Sequence, residues 1–146
     1  MGIGRRALGL DLGSKRIGVA TSDLSGTIAS PHSVLTRTRR SRDLLDEVAR
    51  LVSDEEIEVV VVGLPIRLDG SHGTAAEAAT REARLIGTVI DVPVVLFDER
   101  FTTVAADRAL REAEIRASDR RRVVDKVAAA VMLQAWIDAG GPGLDV

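Results

Sequence analysis

Cysteine is absent from this chain of 146 residues, and aromatic side chains are scarce, with two phenylalanines and one tryptophan. The lack of cysteine excludes disulfides and zinc–thiolate sites, and it makes a cytoplasmic location the default expectation. So few aromatic rings argue against a platform on which single-stranded bases stack. No apolar run approaches the length of a membrane span, so we expect no membrane contact.

An excess of positive charge is also missing. The formal net charge is −2, so no global field draws the protein onto nucleic acid. Binding to a polyanion would therefore need a local basic patch. The sequence contains two candidate patches, which are Arg37, Arg39, Arg40 and Arg42, and farther along Arg116, Arg120, Arg121 and Arg122.

The length and the composition fit one globular domain. A hydrophobic content of 45% with 29% charged residues is typical of soluble proteins. Gly140 and Gly141 are expected to end the last helix. We therefore expect a single domain over residues 1–139 and a flexible C-terminal tail over residues 140–146.

An unusual carboxylate lies in the first predicted strand. Leucines alternate with small or polar residues over 7–13, which predicts a strand, and a turn at 13–15 leads into a second strand. Aspartate is depleted in strands and costly to bury, so Asp11 is out of character there. Its same-face neighbours Gly9 and Gly13 carry no side chain, which predicts space for a large charged group. The alternative is that Asp11 ends the strand and caps the turn.

The remaining segments predict an α/β fold. Pro31 places a third strand at a sheet edge, and the apolar run at 58–63 predicts a central strand buried on both faces. Ser41 and Thr74 are predicted helix N-caps. The other predicted elements are a strand at 93–97, a helix from Thr102 or Thr103 to Ile115, and a last helix beginning at Ser118. Right-handed crossovers then predict a five-stranded mixed sheet of order 3-2-1-4-5, with strand 2 antiparallel and helices on both faces.

Carboxylates fall at one edge of this predicted sheet. Asp11 ends the first strand and Asp98 and Glu99 end the fifth, with Gly63 ending the strand between them. Alternation lets only one of Asp98 and Glu99 face the edge, and a glutamate reaching across the bare Gly63 would share a cation with Asp11. Two carboxylates and water suit Mg²⁺. The alternative for Glu99 is a salt bridge with Arg100.

Asp125 is the third acidic candidate. It lies more than one turn inside a helix that is apolar nearly all round, which predicts deep burial beside the sheet. The alternative is a favourable charge near a helix N-terminus. Three such acids indicate phosphodiester hydrolysis assisted by Mg²⁺ or Mn²⁺. We assign phosphate binding to basic residues near these acids, namely Lys15, Arg16, Arg100, Arg121 and Arg122, which would otherwise be ordinary solvated charges.

Four motifs in order resemble one known family. They are GLDLGSKRIGVA at 9–20, GLPIRLDGS at 63–71, DERFTT at 98–103 and VDKVAA at 124–129. They are similar to the YqgF/RuvX family of bacterial RNase H-like proteins, described as pre-16S rRNA nucleases or Holliday-junction-resolvase-like proteins. The resemblance implies an RNase H-like domain with its catalytic and metal-binding acids at Asp11, Glu99 and Asp125. Where many RNase H-like nucleases carry a carboxylate after the fourth strand, this chain has Gly63, so the acid comes from strand five.

The leading hypothesis is a metal-dependent nuclease that processes the 5′ end of pre-16S rRNA, acting as a monomer or a weak homodimer. The first alternative is a Holliday junction resolvase-like endonuclease whose partner is branched DNA in recombination or repair. A more distant alternative is a non-catalytic RNA-binding factor for ribosome assembly. Asp11, Gly13 and Gly18 also resemble the phosphate hairpin of the actin and hexokinase superfamily, whose members close two domains over a nucleotide.

Overall fold

The computed structural model describes residues 2–101 and 117–143, with side chains from 2 to 100 and from 125 to 143. The elements in this part of the chain are β1 (Ala7–Leu12), β2 (Arg16–Ser22), β3 (Ala29–Thr36), α1 (Ser41–Asp54), β4 (Val59–Leu64), α2 (Thr74–Gly87), β5 (Val94–Asp98), a 3-10 turn (Glu99–Phe101) and α3 (Ala117–Asp138). The helix predicted from Thr102 or Thr103 to Ile115 lies outside the described residues.

The five strands form one sheet in the order β3-β2-β1-β4-β5. β2 is antiparallel to both of its neighbours, and β1, β4 and β5 run parallel. This confirms the predicted fold class and strand order. β3 is an edge strand, as Pro31 predicted, and its pairing shifts register opposite Val19 and Ala20.

The alternation in the first two strands sorts their side chains onto two faces. Leu8 and Leu10 pack with residues of α1 and α2, whereas Ala7 packs with α3 around Trp136. β4 is buried along its whole length, which confirms a central strand covered on both sides. The Trp136 indole donates to the carbonyl of Pro142 at 2.5 Å, so the chain beyond α3 folds back on that helix. Among the described helices, none has the length and apolar content to cross a bilayer.

Both N-cap predictions were wrong by one residue. Arg40 and Gly73 hold the N-cap positions of α1 and α2, and neither makes a side-chain capping hydrogen bond. Before α1 the Thr38 hydroxyl accepts from the Arg40 backbone N–H at 3.2 Å and donates to the Asp43 carboxylate at 2.8 Å. These bonds fix the chain that enters α1 without capping an N–H group of its first turn.

Candidate active site

The site lies where the parallel strands end. β1 and β4 are paired through Leu10 and Val62, and β4 and β5 are paired through Gly63 and Phe97. Asp11 is the second-last residue of β1, and the 3-10 turn begins with Glu99 directly after β5. The carboxyl ends of parallel strands share one sheet edge, so the topology brings these two acids to one place.

Asp11 and Glu99 are joined by a hydrogen bond between their carboxyl groups. The Glu99 side chain lies across Gly63, where an added Cβ would come within 2.9 Å of Glu99 Cγ. Any larger residue at position 63 would therefore displace Glu99. The missing side chain on β4 is the reason why an acid from β5 reaches the acid on β1.

The pKa values of both carboxyl groups in this pair are raised. Burial raises the pKa of Glu99 to about 8, and the hydrogen bond and negative charge of Asp11 act in the same direction, followed by the charge of Asp98. Burial also raises the pKa of Asp11, opposed by the hydrogen bond from Glu99 and assisted by the charge of Asp125. The proton of the pair is therefore held by Glu99, which donates its hydrogen bond to Asp11.

Asp98 faces a different partner. Its carboxylate accepts from the Arg100 backbone N–H at 2.9 Å and from the Arg100 guanidinium at 2.7 and 2.9 Å. The bond to Arg100 is the main reason that the pKa of Asp98 lies below its ordinary value. Asp98 is thus neutralised by Arg100, and Glu99 is the acid that turns towards Asp11.

Asp125 lies on α3 near the same edge of the sheet, at the carboxyl ends of β1, β4 and β5. This edge is called the rim below. Its backbone carbonyl sits directly against Gly18, a contact that leaves no room for a Cβ on β2. Its carboxylate accepts from Arg16 Nε at 2.7 Å, and both side chains are about one-quarter exposed. Asp125 is near enough to raise the pKa of Asp11 by its charge, yet it is turned towards Arg16.

The bare glycines around Asp11 serve packing. An added Cβ at Gly9 would lie 3.0 Å from Leu133 Cβ, so α3 fills the space above that residue. At Gly13 it would lie 2.5 Å from the Arg16 carbonyl oxygen, inside the hairpin turn. The prediction that Gly9 and Gly13 leave space for a large charged group was therefore wrong. Gly9 on β1 and Gly18 on β2 instead let α3 pack closely on the sheet, which brings Asp125 to the rim.

The predicted phosphate-binding residues divide into three groups. Arg16 and Arg100 form ion pairs with Asp125 and Asp98, respectively. Lys15 is exposed at the tip of the hairpin, and it forms no ion pair within the described part of the chain. Arg121 and Arg122 belong to α3, but their side chains lie outside the described residues.

Arg37 has a structural role that the sequence did not indicate. Its backbone N–H donates to the Lys15 carbonyl at 3.0 Å and its Nε donates to the Gly13 carbonyl at 2.8 Å. Its two terminal nitrogens donate to Glu82 of α2 at 2.7 and 2.8 Å. Arg37 therefore ties the hairpin after Asp11 to α2. The arginine-rich run showed only a basic patch, because Glu82 lies 45 residues away in sequence.

The acids at the rim suit a divalent cation in part. Within the described residues, no three acidic or histidine side chains converge into a group that would hold a metal by themselves. Asp11 and Glu99 nevertheless offer hard carboxylate oxygens, and a cation between them would relieve the repulsion that contributes to the raised pKa of Glu99. Asp125 completes such a donor set only if its carboxylate turns away from Arg16. The donor chemistry fits Mg²⁺ or Mn²⁺.

Known proteins are similar to this chain over nearly its whole length. Residues 5–139 match the family described as RuvX, Holliday junction resolvase. A protein from Myxococcus xanthus (strain DK1622) is 45% identical over 137 residues, which covers 94% of this chain and 90% of the relative. A protein from Gluconobacter oxydans (strain 621H) is 44% identical over 140 residues, covering 95% and 87%. Each is named "Putative pre-16S rRNA nuclease".

Solved structures share the fold at low sequence identity. RuvC from Thermus thermophilus in complex with a Holliday junction substrate superposes with a TM-score of 0.53 at 17% identity, over 94% of this chain and 98% of that one. The yeast mitochondrial Holliday junction resolvase gives a TM-score of 0.54 at 11% identity, over 94% and 79%. These likenesses show an RNase H-like fold of the resolvase type.

Proposed function

Because the chain belongs to the RuvX Holliday junction resolvase family, we propose that it is a metal-dependent nuclease that hydrolyses phosphodiester bonds in nucleic acid. The observation that carries this proposal is the buried pair of Asp11 and Glu99 at the ends of β1 and β5, which share one proton. Buried carboxyl groups that repel each other cost stability, and such pairs are concentrated at functional sites.

Asp11 and Glu99 would hold the cation, with Asp125 as a third ligand from α3. When bound, Mg²⁺ or Mn²⁺ would polarise the phosphate and lower the pKa of a water molecule for in-line attack. Glu99 has to release its proton before it can bind, so its raised pKa links metal affinity to pH. Lys15, at the exposed tip of the hairpin, is placed to contact a phosphate of the bound strand.

The favoured substrate is pre-16S rRNA, processed at its 5′ end, because the relatives at 44–45% identity carry the name of a pre-16S rRNA nuclease. This activity would take place in the cytoplasm, with one domain over residues 1–139 acting as a monomer or a weak homodimer. The family description favours one second candidate, cleavage of branched DNA as a Holliday junction resolvase. A resolvase would need two active sites to cut two strands, so the oligomeric state on each substrate bears on this choice.

The decisive experiment is cleavage of a pre-16S rRNA fragment and of a four-way DNA junction by the purified protein, with Mg²⁺ and with chelator. We expect Asp11→Asn and Glu99→Gln each to reduce the rate by about a hundredfold or more, because each removes an oxygen ligand with its charge. Asp46→Asn, which changes an exposed carboxylate of α1, is the matched control and should retain full activity.

Titration with Mn²⁺ provides a second readout that does not depend on turnover. Wild-type protein and Asp46→Asn should bind the ion, and the two rim variants should bind it more weakly. Cleavage that persists in chelator, or that survives Asp11→Asn unchanged, would overturn the proposal. Preference for the junction over the rRNA fragment would select the second candidate function.

A further inference from the structure

Within the described part of the chain, two cations at the acidic rim are already neutralised. Arg16 is paired with Asp125 and Arg100 with Asp98, at 2.7 Å in each case. A guanidinium held in such a pair is a weaker phosphate ligand, because the carboxylate has to be displaced first. A nucleic-acid strand that leaves the rim therefore needs other positive charges along its path.

The turn between β4 and α2 offers one of them. The Gly70 N–H donates to the Arg67 carbonyl at 2.8 Å, and the Arg67 N–H donates to the Ser71 carbonyl at 3.1 Å. The Arg67 guanidinium lies over Gly73, where an added Cβ would be 2.7 Å from Arg67 Nε. This hydrogen-bonded turn begins three residues after the end of β4, and it brings the Arg67 side chain against Gly73, the N-cap residue of α2.

The outward face of α2 continues this line of charge. A groove of about 410 Å³ is lined by His72, Glu77, Thr80, Arg81 and Arg84. Arg81 and Arg84 lie three residues apart on one helix face, and both are exposed. Neither forms an ion pair within the described ranges, even with Glu77 in the same groove.

The groove begins beside the candidate active site. An added Cβ at Gly70, in the turn that leads to the groove, would lie 3.6 Å from Arg100 Nη1, and Arg100 is paired with Asp98. From Thr74 to Arg84 the helix rises about 15 Å, at 1.5 Å per residue. That length corresponds to about four phosphates of one strand in duplex geometry.

We propose that Arg67, His72, Arg81 and Arg84 form a track, here called the α2 track, which holds the phosphate backbone of the nucleic acid beside the scissile bond. The proposal rests on the nuclease function proposed above and adds where the flanking strand lies. The fit is to a polyanion backbone rather than to bases, since the lining offers two guanidinium groups, an imidazole and a hydroxyl beside the single carboxylate of Glu77, and it contains no Phe, Tyr or Trp.

The test is binding of a fluorescein-labelled single-stranded RNA and of a labelled DNA junction, measured by anisotropy in chelator between about 50 and 200 mM salt. We expect the double variant Arg81→Ala/Arg84→Ala to weaken binding about tenfold at low salt. It should also flatten the slope of log affinity against log salt by about 1.4 for single strands or 1.8 for duplex, because two phosphate contacts are lost.

The double variant Arg39→Ala/Arg42→Ala is the matched control, because it removes two arginines of the basic patch at 37–42, which is the competing path for the strand. It removes the same charge from exposed arginines that also make no ion pair within the described residues, around the start of α1. Its slope should stay that of the wild type. Equal losses in the two double variants, or a larger loss in the control, would overturn the α2 track while leaving the nuclease function standing. Failure of the wild-type protein to bind either probe would overturn both proposals.

Discussion

Acidic residues at the two ends of the parallel strands have pKa values that are shifted in opposite directions. At the carboxyl end, Asp11 and Glu99 are buried against each other, and the pKa of Glu99 rises to about 8. At the other end, the partly buried Glu55 accepts from His32 at 2.9 Å and from Arg6 at 3.2 Å. The hydrogen bond from His32, followed by its charge and that of Arg6, lowers the pKa of Glu55.

Asp23 extends this contrast. At the amino end of the sheet its carboxylate accepts from the Ser25 hydroxyl at 2.6 Å and from the N–H groups of Thr27 and Ile28 at 2.7 and 3.1 Å. These bonds lower the pKa of Asp23 to about 2. Acids at the amino end thus stabilise the fold as anions, whereas the pair at the carboxyl end destabilises it once both groups ionise. The latter arrangement is the one expected of a site that waits for a cation.

The largest expected effect on stability comes from replacing the ionisable carboxyl group of Glu99. Its pKa in the folded protein lies above the ordinary value of 4.5, so the stability that its proton contributes is complete below about pH 4 and is lost as pH rises through 8. At about 1.4 kcal/mol for each pKa unit, metal-free protein should lose several kcal/mol of unfolding free energy over this range. Glu99→Gln, which keeps a donor to Asp11, should remove most of this dependence.

Urea denaturation in chelator at pH 5 and pH 8.5 measures this change in the free energy of unfolding. The Gln variant should be more stable than the wild type at the higher pH. Glu77→Gln, a change of an exposed carboxylate on α2, should follow the wild-type curve. Parallel curves for wild type and Glu99→Gln would mean that the two ends of the sheet do not differ as described.

The second prediction removes the close approach of α3 to the rim. Gly18→Ala would place a methyl group on the Asp125 carbonyl, a backbone atom that cannot rotate away. We expect a loss of about 2–3 kcal/mol in unfolding free energy, because α3 has to shift. Gly87→Ala is the matched control, since its added Cβ meets only the Val94 side chain at an ordinary 3.8 Å. Thermal denaturation of both variants checks the difference, and equal melting temperatures would contradict it.

The smallest effect is expected at the amino end. Asp23→Asn weakens the acceptor for three hydrogen bonds in an exposed loop, so the protein should be slightly less stable at neutral pH. The lowered pKa contributes stability that is present above about pH 4 and is lost as pH falls towards 2. Acid titration of the melting temperature should therefore show a smaller loss for the variant than for the wild type. The rate of nucleic-acid cleavage should be unchanged in this variant.

Much of the fold could be predicted because its signals are local. Alternation around Leu8 and Leu10 set two faces, the unbroken apolar run of β4 set a central strand, and Pro31 set an edge. The helix caps at Ser41 and Thr74 were misplaced by one residue, since the N-cap positions are held by Arg40 and Gly73, whose side chains make no capping hydrogen bond. The meeting of Asp11 with an acid from strand five was predictable from the strand order, and bare Gly63 suggested how it is reached.

The partners of the charged side chains were not predictable. Arg16 pairs with Asp125 over 109 residues of sequence, and the choice between Asp98 and Glu99 depended on which acid Arg100 neutralises. The sequence by itself determined the strands, their order and the small residues at the rim, because period and side-chain size are properties of each segment. Only the tertiary structure decided which acids share a proton and which are neutralised, because that depends on burial and on ångström distances between segments far apart in the chain.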